Sequence, residues 1–389
     1  MQAVAMFPAT HELRLIECDE PDITTPTQVK LRMLDVGVCG TDKEIASFAY
    51  GTPPTGSDHL ILGHEALGEV VEVGPAVSEL NVGDLVVPTV RRPCSHPECR
   101  PCRTSHQDFC VTGDYTERGI KERHGFMAEF VVDESAYLTG VPAALRAVAV
   151  LVEPLTIAAK ALPQTLAIMR RFPWFASRDR IALSWGSGAG ASYRALVLGA
   201  GAVGLLAAMA LRTFGFETYV YARTPAPNPK ARVVESIGAR YISEQTAPEF
   251  AHLIGSVDLV YEAVGASQLA FRAMKALGPN GTFIFTGVPP LKAASDVDTD
   301  AIMRNMVLKN QVMFGTVNAG KAEYEAAIRA LTDMTQQWPE AVPALITARF
   351  PLDAYRELLL GRMQGIKNVL SLEVSAQEVT AAPAGPATP

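Results

Sequence analysis

Gly199-Ala200-Gly201-Ala202-Val203-Gly204 restricts the folds open to this chain more than any other stretch. It follows the apolar segment Ala195–Leu198 and opens the apolar run Val203–Phe214, so a strand, a tight loop and a helix come in that order. In such a setting the first glycine permits the turn and the second lets backbone approach a pyrophosphate. The third lets helix and strand pack closely. The helix N-terminus then offers its unpaired N–H groups to phosphate oxygens. The rhythm continues with Thr218–Ala222 as a strand, Lys230–Ile237 as a helix, Val257–Glu262 as a strand, Gln268–Leu277 as a helix and Gly281–Thr286 as a strand. This alternation predicts a doubly wound parallel sheet of the Rossmann kind that binds a dinucleotide.

The end of the second strand bears on which dinucleotide. A carboxylate there, about 20 residues past the glycines, holds the ribose hydroxyls of NAD. This chain reads Tyr219-Val220-Tyr221-Ala222-Arg223-Thr224, with an arginine in place of the acid. Arg223 can pair with a 2′-phosphate, so NADP is the favoured cofactor and NAD the second option.

Residues before this region have a different texture. Short β segments such as Val29–Leu34, Glu69–Val73 and Leu85–Val90 are punctuated by Gly74-Pro75 and Gly83-Asp84. A helix is expected near Glu153, where Pro154 suits a first turn. The chain of 389 residues is thus read as two domains. An Ala/Pro/Thr-rich tail, 375–389, is expected to be disordered. The stretch 162–192, with Trp185-Gly-Ser-Gly-Ala-Gly190, has no assigned shape or role.

Cysteine spacing points to metal. Cys94, Cys99, Cys102 and Cys110 fall within 17 residues and fit a closed, tetrahedral structural zinc site. The first spacing is wide and contains His96, so either Cys94 or His96 is the first ligand. A second set is dispersed: Cys39, His64 and Glu153 each stand beside a predicted element end. Three ligands and one open position are what a catalytic zinc requires, with Glu65 as a further ligand or near neighbour.

The formal net charge of −7 gives no footprint for nucleic acid or an anionic membrane. No apolar stretch reaches the roughly 18 uncharged residues of a membrane span, and the first ten residues do not form a secretory signal. A cytoplasmic location is therefore expected.

Gly63-His64-Glu65-x2-Gly68, the cysteine lobe and the later glycine loop occur in the order of the zinc-containing medium-chain dehydrogenases, which the chain resembles from Met1 to about Glu373. Within that family the segments Cys39–Ile45, Asp58–Glu65, Pro88–Arg92, Asp108–Gly113, His124–Met127 and Gly315–Asn318 look like glucose dehydrogenase. The resemblance implies an α/β architecture: a GroES-like β-rich catalytic domain formed by both ends of the chain, residues 1–161 and 318–374, and a Rossmann domain over 162–317. It implies oxidation of D-glucose to gluconolactone, a small-molecule sugar substrate, and a homodimer or homotetramer. Cys39 and His64 carry over as zinc ligands, with Glu65 and Glu153 around them. Thr41 would take the substrate proton and pass it towards Glu44, where alcohol dehydrogenases often have histidine. Glu117 and Asn318 would bind sugar, alongside Thr41, Glu65 and Glu153. Gly199 to Gly204, Arg223, Val264, Gly287 and Asn318 would bind the cofactor.

The chain departs from family members at Val90, where they can carry asparagine, and at Leu308, where they can carry histidine. Arg223 stands alone where some members have Asn-Arg-Arg. Other aldose or polyol dehydrogenases (sorbitol, galactose, xylose) are the rival reading. A nucleotide-binding redox sensor without catalysis is more remote, since it has no need of an open metal site.

Overall fold

The computed structural model describes residues 1–173, 193–290, 296–362 and 364–373. The tail expected over 375–389 and the Trp185–Gly190 stretch lie outside them. The described chain forms two compact units. The first holds residues 1–153, 318–328 and the segment from 346 onward; the second holds 154–317 and 329–345.

In the first unit a sheet is organised on the 11-residue strand Gln28–Val38, buried at nearly every position. Antiparallel neighbours Glu65–Val73 and Lys367–Ser371 flank it, and Phe130–Glu134 also pairs with it. Strands buried on both faces read as continuous apolar runs, and Val29, Leu31, Met33, Leu34, Val36 and Val38 supply one. Two irregularities in the pairing with Glu65–Val73, at Lys30/Leu31 and Met33/Asp35, bend the strand on its way to Val38.

The second unit contains a six-stranded parallel sheet. Its strand order is Arg240–Ser243, Glu217–Ala222, Arg194–Leu198, Val257–Glu262, Leu277–Phe285, Val312–Gly315. Numbered along the chain this is 3-2-1-4-5-6, the doubly wound order, whose reversal beside the first strand makes a ligand crevice outside the strand ends. Helices Ala202–Thr213 and Pro229–Ser236 follow the first two strands. One expected boundary moves: the helix read over Gln268–Leu277 ends its α turns at Ala273, and Leu277 already begins the next strand. Gly278 and Pro279 cannot carry the helix on, and Leu277 pairs with Val257 instead. Among the described residues, no helix is long and apolar enough to cross a membrane.

Candidate active site

Three strand ends meet in the first unit. Gly37 pairs with Glu65 and Val38 with Asn368, which brings Cys39, His64 and Lys367 to one edge of the sheet. Beyond Val38 the chain turns into the helix Gly40–Ala46, with Cys39 as its N-cap. Asp42, the third helical residue, is fully buried and accepts the Cys39 N–H on Oδ2 at 2.9 Å. Its Oδ1 lies 3.1 Å from His64 Nδ1, and His64 Nε2 lies 3.2 Å from Cys39 Sγ. One carboxylate therefore orients two candidate ligands at once. Sequence reasoning did not single out Asp42; an acid three residues past an N-cap is the signal that could have found it.

Ligand atoms of Cys39, His64 and Glu65 lie within 4.8 Å of one another. Glu153 is outside that group, at the start of the helix Val152–Met169. Burial, reinforced by the charge of Glu65, pushes its carboxyl up to about 7. Glu65 also pairs with the buried Lys367, whose Nζ donates to the Val38 carbonyl at 3.3 Å. A Cβ on Gly37 would collide with the Glu65 carboxylate, so this position must be glycine for Glu65 to turn inward. The buried Asp42 and Glu65 and the partly buried Cys39 and Glu153 thus crowd potential negative charge together, and burial pushes the Cys39 thiol up against the pull of His64. Such a set calls for a counter-charge. Thiolate, imidazole and carboxylate are zinc's usual protein ligands, so the residues fit that ion.

Thr41 and Glu44 are three residues apart on the short helix, hence on one face. Thr41 is half-buried, and its hydroxyl has no hydrogen-bond partner among the described residues. Glu44 is exposed.

Glu117 and Asn318, 201 residues apart, touch: Asn318 Nδ2 donates to Glu117 Oε1 at 2.7 Å. Asn318 holds a left-handed backbone, φ 58°, which asparagine tolerates better than most residues. Arg91 Nε donates to the same Glu117 oxygen at 3.0 Å. Val90 is buried and offers no polar group there, while Leu308 is exposed at the end of the helix Thr299–Leu308.

The sulfurs of Cys94, Cys99, Cys102 and Cys110 also cluster within 4.8 Å. Cys99 and Cys110 are 3.8 Å apart. Four sulfurs about 2.3 Å from one zinc would be separated by about 3.8 Å, so this group too fits the metal. His96 pairs with Asp114 instead, leaving Cys94 to complete the four. Burial pushes the Cys102 thiol up to about 12. At Cys110 burial is outweighed by hydrogen bonds from Thr112, which bring the thiol down to about 6.

In the second unit Gly199 takes φ 104°, open to glycine, and a Cβ on Gly204 would strike the Gly199 carbonyl. A Cβ on Gly201 would meet nothing within 4 Å, so Gly199–Gly204 is packed on the protein side and open at Gly201. Ala202 and Val203 begin the helix behind it. The loop after Val257–Glu262 comes alongside: a Cβ on Gly199 would lie 2.7 Å from the Val264 side chain. Glu262 Oε1 accepts the N–H groups of Val264 and Gly265 at 2.7 and 2.8 Å. Gly287 packs against Gly265 so closely that a side chain is excluded. Arg223 is exposed just past Glu217–Ala222, with no partner for its guanidinium among the described residues.

Comparison with known proteins gives two family matches that cover most of the chain. Residues 25–143 match the alcohol dehydrogenase GroES-like domain, and residues 146–372 match the glucose dehydrogenase C-terminus. Glucose 1-dehydrogenase of Thermoproteus tenax is 41% identical over 96% of this chain and 100% of its own. Glucose 1-dehydrogenase of Methanocella arvoryzae is 39% identical over 96% of this chain and 99% of its own. Among solved structures, Haloferax mediterranei glucose dehydrogenase in complex with NADP, Zn and gluconolactone superposes with a TM-score of 0.83 at 32% identity, over 96% of this chain and 100% of that one. Matched along nearly its whole length, this chain belongs to the glucose dehydrogenase family of zinc-containing medium-chain dehydrogenases.

Proposed function

We propose that this chain oxidises D-glucose at C1 to gluconolactone, with zinc and NADP⁺ as its cofactors. The observation that carries the reading is the Cys39–His64–Glu65 group, with Asp42 orienting Cys39 and His64, in a chain whose relatives are glucose 1-dehydrogenases. When bound, zinc supplies Lewis acidity towards the sugar oxygen and NADP⁺ supplies the hydride acceptor.

This chain's own groups do the rest. Cys39, His64 and Glu65 hold the metal, with Glu153 beside them. Asp42 keeps the Nδ1 proton of His64 in place, which leaves the Nε2 lone pair for the ion. Thr41 Oγ accepts the sugar's hydroxyl proton and passes it towards Glu44 on the same helical face. Glu117 and Asn318 hold sugar hydroxyls, and Asn318 also serves the cofactor. Gly199 to Gly204 seat the pyrophosphate, Val264 and Gly287 shape the dinucleotide's bed, and Arg223 meets a 2′-phosphate. Cys94, Cys99, Cys102 and Cys110 hold a structural zinc that fixes their loop. The six cysteines form no disulfide, in keeping with the cytoplasm, and the exposed Met303 and Val307 accord with a homodimer or homotetramer.

Val90 and Leu308 favour a second reading at the level of the substrate, because neither can hydrogen-bond a sugar where family members can carry asparagine and histidine. Another aldose would then be preferred. Initial rates of NADP⁺ and NAD⁺ reduction with glucose, galactose, xylose and sorbitol, before and after zinc removal and re-addition, separate these readings. Zinc-restored glucose oxidation with a lower KM for NADP⁺ is expected. Preference for xylose or galactose would move the substrate, and no turnover by the zinc-loaded protein would overturn the assignment.

A further inference from the structure

The Glu117 carboxylate is held asymmetrically. Its Oε1 takes the Arg91 Nε–H at 3.0 Å, a second Arg91 nitrogen at 3.0 Å and the Asn318 amide at 2.7 Å. Among the described residues nothing donates to Oε2, and the Glu117 side chain keeps 7% of its surface exposed. Glu117 as a whole is only 5% exposed, so its carboxylate is largely withdrawn from water.

Arg91 is itself fixed from three sides. It is 5% exposed, its guanidinium lies 3.6 Å over the Tyr115 ring, and Nη1 donates to the Asp108 carbonyl at 3.1 Å. Arg91 and Glu117 are direct partners across the strand pair Arg91–Arg92 and Thr116–Arg118. A planar guanidinium that is stacked, anchored and bonded at once has one orientation. The pair uses one carboxylate oxygen and leaves the other as a free acceptor among the described residues.

We propose that Arg91 is a positioning residue for the sugar: it locks the Glu117 carboxylate so that Oε2 alone accepts one particular substrate hydroxyl. The proposal rests on Glu117 being a sugar-binding group. Without the clamp the carboxylate rotates, Oε1 and Oε2 exchange roles, and the pocket loses its grip on that hydroxyl. A site built to hydrogen-bond one hydroxyl discriminates strongly against the analogue lacking it. Arg91 therefore contributes to selectivity among sugars without touching the sugar.

The test uses the zinc-loaded full chain as Arg91→Lys, Glu117→Gln and the double variant, with glucose and its 2-, 3-, 4- and 6-deoxy analogues. Lysine keeps the charge but cannot stack, reach Asp108 and meet Glu117 together. Arg91→Lys should raise the KM for glucose by about 10- to 100-fold, the weight of one charged hydrogen bond, with kcat within a few-fold and KM for NADP⁺ unchanged. One deoxy analogue should be discriminated by the parent and lose that discrimination in Arg91→Lys. The double variant should be no worse than Glu117→Gln alone. If Glu117→Gln leaves KM for glucose unchanged, the sugar role of Glu117 fails. If Glu117→Gln raises KM but Arg91→Lys does not, or lowers kcat and both KM values alike, the positioning role fails by itself. Failure of Arg91→Lys to fold would make Arg91 a structural residue and overturn the proposal as well.

Discussion

Asp42→Asn is the substitution whose consequence follows most directly from the geometry. Asp42 accepts twice: from the Cys39 backbone N–H at 2.9 Å and at 3.1 Å from His64 Nδ1. Asparagine has the same shape but one acceptor and one donor. If its oxygen faces Cys39, its NH2 meets His64 Nδ1 and moves the ring proton to Nε2, which removes the lone pair meant for the metal. If its oxygen faces His64, two N–H donors meet at Cys39 and the cap of Gly40–Ala46 is lost. Neither rotamer serves both partners. Loss of such an orienting carboxylate costs about 10- to 100-fold in metal affinity, or about 1.4–2.8 kcal/mol. The assay is zinc competition against a chromogenic chelator, read beside activity as free zinc is varied. The weaker of two zinc equivalents should shift, with the cysteine-lobe equivalent unmoved. Asp42→Asn that binds both equivalents within twofold of the parent would refute the reasoning.

Other perturbations have separate signatures. Gly204→Ala sets a methyl against the Gly199 carbonyl and should displace the glycine loop at a cost of about 1–3 kcal/mol, seen as at least a several-fold rise in the Kd for NADP⁺ with zinc content intact. Arg223→Ala should raise KM for NADP⁺ about tenfold, as expected for an exposed charged contact, and leave KM for NAD⁺ alone; equal effects on both cofactors would remove Arg223 from the phosphate site. Burial, with His59 and Arg118 nearby, pushes His124 down to about 4, against about 6.5 in an unfolded chain. The unfolded state then binds the extra proton between those values, so stability is full above about pH 6.5, falls as pH drops, and levels off below about 4. With the ring partly exposed, that loss should be about 1–2 kcal/mol. In His124→Asn, denaturant unfolding at pH 7 and pH 5 should differ less than in the parent by about half that amount.

The sequence made the dinucleotide loop legible because its constraint is local: turn, phosphate approach and helix packing all fall within Gly199–Gly204. The strands around it were legible for the same reason, and Gln268–Leu277 was overextended because an apolar run does not say where Gly278-Pro279 will switch it from helix to strand. Cys94, Cys99, Cys102 and Cys110 were equally local. The metal group near Cys39 was not. Glu65 and Glu153 were both plausible ligands on sequence, and only the pairing of Gly37 with Glu65 shows which carboxylate lies with Cys39 and His64. Asp42, Lys367 and Arg91 escaped altogether, since each matters through a partner distant in the chain or through a backbone amide.

The pairing of Val38 with Asn368 also has a bearing on how the protein is made. Lys367 and the Val38 carbonyl it bonds are 329 residues apart. At about 5–20 residues per second, a ribosome needs about 16–66 s to produce the second after the first. Through that interval the strand Gln28–Val38 lacks one flanking neighbour and Glu65 lacks its cation. The parallel sheet, drawn from consecutive strands between Arg194 and Gly315, faces no such wait. A nascent chain should therefore complete its parallel sheet before the edge on which Cys39, His64 and Lys367 meet. Over that interval the half-finished sheet, with the Asp35–Val38 end of one edge bare, is a part of the molecule in need of a chaperone.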